Sequence, residues 1–234
     1  MKIESVSLEE KNSSLDMYIS NSDVKLPGIV IIAGGSYNPI KERDSERVAL
    51  SYATHAYQAF VVQYPVGENK SYATAKVAIA QSFDYIVSHA DELNVDTDNL
   101  GIIGFSAGGQ LAAAYANSEG NHAKFEILGY PVIKPTLDEK MGVTTEDVSK
   151  MVSANTPRTF IFGSINDELT PFGNHILSYV QELDKNNVKF ELHEFGTGNH
   201  GISLANKYTG IVNGDRTDEH FSKWFELSVD WLNN

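Results

Sequence analysis

Between Gly28 and Ala33 the chain reads Gly-Ile-Val-Ile-Ile-Ala, with no polar side chain. A strand with one wet face alternates polar and apolar residues. A continuous apolar run is instead buried on both faces, which requires layers above and below its sheet. Short runs of the same kind recur at Gln58–Tyr64, Leu100–Phe105, Phe125–Tyr130 and Arg158–Gly163, each stopped by glycine, proline or serine. Between them lie segments of helical character at roughly 44–56, 71–93, 107–116 and 172–185, and a last one closes the chain at 218–233. The longest, 71–93, is amphipathic through Ala75, Val77, Ile79, Phe83, Ile86 and Val87. Strands alternating with helices predict an α/β fold, a mostly parallel sheet with helices on both faces. A hairpin of residues 3–8 and 14–20, with the alternating strand Lys189–Phe195, brings the expected sheet to about eight strands.

The chain has 234 residues, a size that one domain accommodates, so a single unit over 1–234 is expected. Residues 134–156 are polar, contain Pro135 and Gly142 and show no clear period. They read as a short cap-like insertion. There is no cysteine, which excludes disulfides and thiol chemistry. No set of histidines and acids has metal-ligand spacing, so neither a metal nor another cofactor is expected. The first ten residues carry acids and no apolar core of a signal peptide, and no run reaches the roughly 18 apolar residues of a membrane span. The expected location is the cytoplasm. The net charge of −13 disfavours nucleic acid and anionic membrane surfaces and favours a small neutral substrate as the partner.

In open α/β sheets ligands bind beyond the carboxyl ends of the strands. The polar residues just past the apolar runs are few: Gly34-Gly35-Ser36, Ser106, Asp167 and the loop from Gly196 to His200. The most specific is Gly104-Phe105-Ser106-Ala107-Gly108, a G-x-S-x-G match with a strand before it and a helix after it. That is the setting of a nucleophile elbow, in which a serine on a tight turn presents its hydroxyl above the sheet. A serine hydroxyl needs a base within hydrogen-bond reach, and the base needs an orienting acid. His200 is the candidate base, because it follows the last strand on a glycine-flanked loop, Gly196-Thr-Gly-Asn-His-Gly201. Asp167 is the candidate acid, leaving the strand at 158–163 just before Pro171. Its rivals are Glu168, one residue on, and Asp215, which follows the base in the chain. His193 lies within a strand and reads as structural. His55, His89, His122, His175 and His220 lie on helices or their ends, without a glycine loop, and read as surface or packing residues. The oxyanion of acyl transfer needs two donors. Ala107, after the nucleophile, is one, and Gly35 or Ser36, after an early strand, is the other. A phosphate loop is excluded at Gly34-Gly35, since no Lys-Ser/Thr follows and no G-x-G-x-x-G is present.

The order Ser106, Asp167, His200 is that of the α/β-hydrolases. The segments Ile32–Tyr37, Arg43–Glu46, Val48-Ala49, Tyr64–Val66, His89–Asp96, Gly104–Ala112, Leu128–Ile133, the Asp167 loop and Gly198–Ile202 extend the likeness over nearly the whole chain. Together they resemble the small bacterial acetyl-xylan-esterase-like and feruloyl-esterase-like carboxylesterases. The resemblance implies an α/β-hydrolase fold with Ser106 as nucleophile, Asp167 as orienter, His200 as base and oxyanion donors near Gly35, Ser36 and Ala107. The chain departs from that pattern at Ala33 and Ser36 in the donor loop, at Gln110, where histidine is common, and in the acid loop Ser164-Ile-Asn-Asp167. The expected function is hydrolysis of short acyl esters, acetyl above all, with sugars as possible alcohols. The rivals are a peptidase or amidase of the same fold and a catalytically silent binding protein. Neither the physiological ester nor the oligomeric state follows from these motifs.

Overall fold

The structure, a computed structural model, describes residues 1–210 and 216–234. The strands are β1 (Lys2–Ser7), β2 (Ser14–Ile19), β3 (Leu26–Ile32), β4 (Gln58–Gln63), β5 (Val95–Phe105), β6 (Phe125–Gly129), β7 (Arg158–Ser164) and β8 (Phe190–Phe195). The helices are α1 (Glu46–Ala53), α2 (Tyr72–Ser88), α3 (Ala107–Ala116), α4 (Asp138–Met141), α5 (Ile176–Lys185), α6 (Lys207–Gly210) and α7 (Trp224–Leu232). The strands form one eight-stranded sheet in the order β1-β2-β4-β3-β5-β6-β7-β8. The pairs β1/β2 and β2/β4 are antiparallel and all others parallel.

The apolar runs do what continuous runs require. Val30, Ile32, Phe60 and Val62 face one side, where α2, α3 and α5 bring Ile79, Phe83, Leu111, Tyr179 and Leu183. Ile29, Ile31, Ala59 and Val61, one residue out of phase, face the other side against Val48 and Tyr52 of α1 and Trp224 and Phe225 of α7. The period of two in each strand thus sends successive side chains into two different cores. Phe162 of β7 stacks on Trp224, with ring centroids 4.3 Å apart, and joins the sheet to α7.

Several boundaries differ from the expected ones. The segment expected as a helix over 44–56 is a 3-10 turn, Glu42–Asp44, followed by α1 from Glu46. Ser45 between them has φ −122° and ψ −94°, which no α-helix contains. Helix α2 ends at Ser88 rather than near 93, because residues 89–94 turn back through Asn94 at φ 53°. Strand β5 begins five residues before its apolar run, where Val95 and Asp96 pair with Leu26 and Pro27 ahead of a register shift. The 134–156 segment is built of two 3-10 turns and α4. Its Met141, Val148 and Val152 pack in the same core as α2, α3 and α5.

Strands β3 and β5 are neighbours, yet the chain leaves β3 toward β4 on one side and resumes at β5 on the other. That is the topological switch point, where a crevice opens beyond the carboxyl ends of the strands. Gly34 to Ser36 follow β3 and Ser106 follows β5 at this point. Asp167 and His200 arrive from the ends of β7 and β8.

Candidate active site

Ser106 is the single residue between β5 and α3, at φ 55° and ψ −121°. A non-glycine residue held at positive φ costs on the order of 1–3 kcal/mol and persists only where its surroundings impose it. Here its N–H donates to Gly129 O at 3.0 Å, and its carbonyl accepts from Val132 N at 2.9 Å and Gln110 N at 3.2 Å. The start of α3 also crosses β5 and β3 very closely. A Cβ on Gly104 would lie 2.2 Å from Gly108 O, and one on Gly108 would lie 2.2 Å from Ile32 O. Those two glycines are the G-x-S-x-G pattern, and the reason for them is space.

Ser106 Oγ lies 2.7 Å from His200 Nε2, and His200 Nδ1 lies 2.7 Å from Asp167 Oδ2. The three residues singled out at separate strand ends are therefore in one hydrogen-bonded line. Ser106 is 6% exposed and Asp167 5%, so the line is largely shielded from water. The Asp167 carboxylate is fully occupied. Its Oδ1 accepts the Leu169 and Thr170 N–H groups, both at 2.9 Å, and its Oδ2 also accepts the Thr170 hydroxyl at 2.8 Å. Burial pushes the carboxyl up, but the bond and charge of His200, with the Thr170 N–H and hydroxyl, outweigh it and hold the group below its usual range. An anionic carboxylate on Nδ1 leaves Nε2 free to accept the serine proton. Glu168 is exposed, and Nδ1 is bonded to Asp167 instead. Asp215 lies outside the described residues. His193 bonds Glu191 within β8, and His175 is buried, accepting from the Ile133 N–H. Burial lowers His175 to about 4, so it is neutral at ordinary pH.

The donor loop after β3 carries three consecutive positive φ values, 122° at Gly35, 54° at Ser36 and 58° at Tyr37. It approaches the elbow so closely that a Cβ on Gly34 would lie 3.1 Å from Ser106 Cβ. The loop is anchored from beneath. Tyr37 is buried edge-on against Tyr64 at 5.8 Å, and Tyr64 donates its hydroxyl to Ala33 O at 2.7 Å. Gly35 and Ser36 line the cavity over Ser106. Ala107 opens α3, so its N–H has no acceptor within the helix. The geometry thus brings Gly35, Ser36 and Ala107 around the candidate nucleophile.

That cavity measures about 190 Å³ and is also lined by Asn38, Arg43, Asp44, Tyr130, Leu169, His200 and Gly201. A wider open groove of about 650 Å³ adjoins it through Leu169 and His200. No residue of 134–156 lines either space. Gln110 instead holds that segment to the side, donating through Nε2 to Thr145 Oγ1 and Glu146 O, both at 2.9 Å. Among the three aromatic residues that follow apolar runs, Tyr130 lines the cavity, with its ring 5.1 Å from that of His200, while Tyr37 and Tyr64 are packing.

Sequence reasoning gave no role to Thr170, Arg43 or Asp44, although Arg43 and Asp44 stand in one of the segments that carry the family resemblance. The spacing Asp-x-x-Thr, which lets an aspartate bond its own following turn, was the available signal for Thr170. Among the described residues, no group of three or more His, Asp or Glu side chains could hold a metal ion, and no helix is long and apolar enough to cross a membrane.

Comparison with known proteins agrees with this architecture. MGS-M1, an α/β-hydrolase enzyme from a Medee basin deep-sea metagenome library, is 31% identical and superposes with a TM-score of 0.90 over 100% of this chain and 97% of its own. Endo-1,4-beta-xylanase B of Butyrivibrio fibrisolvens is 28% identical over 244 residues, covering 90% of this chain and 36% of the xylanase. The acetylxylan esterase of Xylanibacter ruminicola is 25% identical over 203 residues, covering 76% of this chain and 41% of the esterase. The chain thus spans about two fifths or less of these two relatives. The BD-FAE family model matches residues 15–150, more than half of the chain and the whole stretch from β2 through the elbow. With an eight-stranded α/β-hydrolase sheet and that match, the chain belongs to the BD-FAE family.

Proposed function

We propose that this chain is a carboxylesterase acting on small acyl esters, acetyl foremost, with Ser106 as nucleophile, His200 as general base and acid, and Asp167 as the orienting carboxylate. The observation that carries this reading is the continuous line of two 2.7 Å contacts from Ser106 Oγ through His200 to Asp167. His200 Nε2 takes the Ser106 proton as Oγ bonds to the ester carbon, and the carbonyl π electrons move onto oxygen. The resulting oxyanion faces the Ala107 N–H and the Gly35–Ser36 loop. Each such donor is worth about 2.7–4 kcal/mol of transition-state stabilisation. The C–O bond then breaks, His200 returns the proton to the leaving alkoxide, and water repeats the sequence on the acyl-enzyme.

The small cavity of about 190 Å³ supports a short acyl group. The acetylxylan esterase among the relatives supports acetyl on a sugar alcohol. The net charge of −13 supports a neutral ester as the partner, since an acidic surface repels anions.

Labelling with a fluorophosphonate, followed by intact mass and peptide mapping, tests the site. p-Nitrophenyl acetate, butyrate and octanoate test the acyl preference. One adduct on Ser106 and faster turnover of acetate than octanoate are expected. Ser106→Ala is expected to lose the adduct and roughly a thousandfold or more of turnover. No adduct and no turnover would leave the silent-binder reading standing. Full activity in Ser106→Ala would overturn the site, and faster octanoate turnover would overturn the short-acyl preference.

A further inference from the structure

Arg43 and Asp44 are a charged pair at the wall of the cavity over Ser106, and the ester chemistry described above uses neither. They sit on the 3-10 turn Glu42–Asp44 that precedes α1, with Arg43 Nη2 3.3 Å from Asp44 Oδ2. Asp44 is 1% exposed. Beyond that pairing, Asp44 Oδ1 and Arg43 Nε are buried with no hydrogen bond of ordinary geometry, while burial pushes the Asp44 carboxyl up and the Ser203 and Tyr130 hydroxyls that face it offset part of that push. A buried polar atom left unpaired costs on the order of 1–3 kcal/mol, and more when charged. This chain buries other such atoms, on Glu126 and Glu194 among them; those of Arg43 and Asp44 differ in belonging to adjacent residues that line the cavity over Ser106.

The chemistry of those atoms narrows the ligand. One is an acceptor and the other a donor, and together the two side chains are close to neutral. A carboxylate or phosphate would meet Asp44, and an ammonium would meet Arg43. A hydroxyl group suits both, because it donates one hydrogen bond and accepts others.

The position narrows it further. The Ser203 hydroxyl donates to Arg43 O at 2.6 Å, and a Cβ on Gly201 would lie 3.3 Å from Arg43 Nη2. The pair therefore packs on the loop that carries His200, the side from which the leaving alcohol receives its proton.

We propose that Arg43 and Asp44 form a specificity subsite that binds a free hydroxyl on the carbon next to the esterified carbon of the alcohol. The favoured substrates are then partly acylated polyols and sugars rather than esters of simple alcohols. The proposal rests on the esterase reading and adds to it two residues and a requirement on the alcohol.

Two nearly isosteric acetates test it: 2-hydroxyethyl acetate, which carries the neighbouring hydroxyl, and n-propyl acetate, which replaces it with methyl. The readout is the ratio of their kcat/KM values on the full chain, with p-nitrophenyl acetate and the fluorophosphonate adduct measured beside them. A hydrogen bond to a charged group predicts a ratio of about 10 to 100 in favour of the hydroxyl ester. Asp44→Asn and Arg43→Met are expected to bring the ratio down toward one, and Arg43→Lys to restore part of it. A ratio near one in the unaltered chain, with p-nitrophenyl acetate still cleaved, overturns the subsite and leaves the esterase reading intact. A high ratio that both variants preserve while slowing the two substrates equally assigns the pair a structural role and overturns it too. No adduct and no turnover of any ester overturns the esterase reading, and the subsite with it.

Discussion

Thr170 shows how much of the Ser106–His200–Asp167 line rests on a residue outside it. Its N–H and hydroxyl both reach Asp167, at 2.9 Å and 2.8 Å, and the hydroxyl lies 3.2 Å from His200 Nδ1. Burial pushes this carboxyl up, and the Thr170 groups join the larger effect of the bond and charge of His200 in holding it below its usual range. Valine in place of Thr170 keeps the shape and deletes the hydroxyl. Losing one hydrogen bond to a charged group costs about 1.5 kcal/mol, which is roughly tenfold in rate. On the proposed mechanism Asp167 acts through the His200 imidazolium of the transition state, so Thr170→Val is expected to lower kcat about tenfold with KM nearly unchanged. Steady-state kinetics on p-nitrophenyl acetate checks this, and an equal loss carried in KM would count against it. Asp167→Asn is the harsher change at the same place. It favours the wrong imidazole tautomer and is expected to cost about 10⁴-fold in kcat.

At the scale of elements, the sequence announces those pieces whose local pattern and tertiary role coincide. The run Leu100–Phe105 is buried on both faces and Ser106 follows it directly, so the elbow could be read from spacing alone. Asp167 and His200 were legible for the same reason, being the polar residues past β7 and β8. Arg43, Asp44 and Thr170 were not, because a 3-10 turn and a loop bring them to the site and neither carries a period. The first five residues of β5, Val95 to Asn99, were hidden too: Val95 and Asp96 join the strand by pairing with Leu26 and Pro27, not by apolar content, and the register shifts before Leu100. The elbow also supplies a prediction about packing. Gly108→Ala places a methyl 2.2 Å from Ile32 O and 2.4 Å from Ala33 O, backbone that cannot step aside. Overpacking of this kind costs about 1–3 kcal/mol. It also moves the first turn of α3, which carries the Ala107 N–H, so turnover is expected to fall with stability. Gly173→Ala is the control, since nothing lies within 4 Å of the added methyl. It should change stability by no more than about 0.5 kcal/mol. Urea midpoints for the two variants decide the matter, and equal midpoints would refute the close-approach account.

For the whole molecule, buried acids tie stability to pH, Asp44 through the upward push of its burial and, more strongly placed in the neutral range, Glu126 and Glu194. Glu126, the second residue of β6, is fully buried, and its Oε1 accepts the hydroxyls of Tyr179 at 2.7 Å and Thr159 at 2.8 Å. Its Oε2 has no partner. Burial pushes this carboxyl up to about 8, against the pull of those two hydroxyls. Glu194 on β8 has both oxygens buried and unpartnered, and burial, with the nearby charge of Asp167, raises it to about 7. In each case the folded chain holds a proton that the unfolded chain, with an ordinary carboxyl near 4.5, has already released. Where the native state binds more protons, stability falls as pH rises. The contribution of these groups is therefore complete below about pH 4.5 and is lost as pH climbs through about 7 and 8. Asp167, held below its usual range, has the opposite sign, but its contribution is lost only in acid; His175, lowered by burial to about 4, also has the opposite sign and offsets part of the trend below about pH 6.5. The net charge of −13 adds self-repulsion at the alkaline end and reinforces the trend. The melting temperature is thus expected to fall between pH 5.5 and pH 9, most steeply above about pH 6.5, where His175 no longer opposes the trend. Glu126→Gln removes one titrating group while keeping an acceptor for Tyr179 and Thr159, and it should flatten part of that slope, Glu194 being left to titrate. Its melting temperature should exceed that of the unaltered chain at pH 9 by more than at pH 5.5. A slope as steep as before in Glu126→Gln would mean that the buried acid of β6 is not what couples this fold to pH.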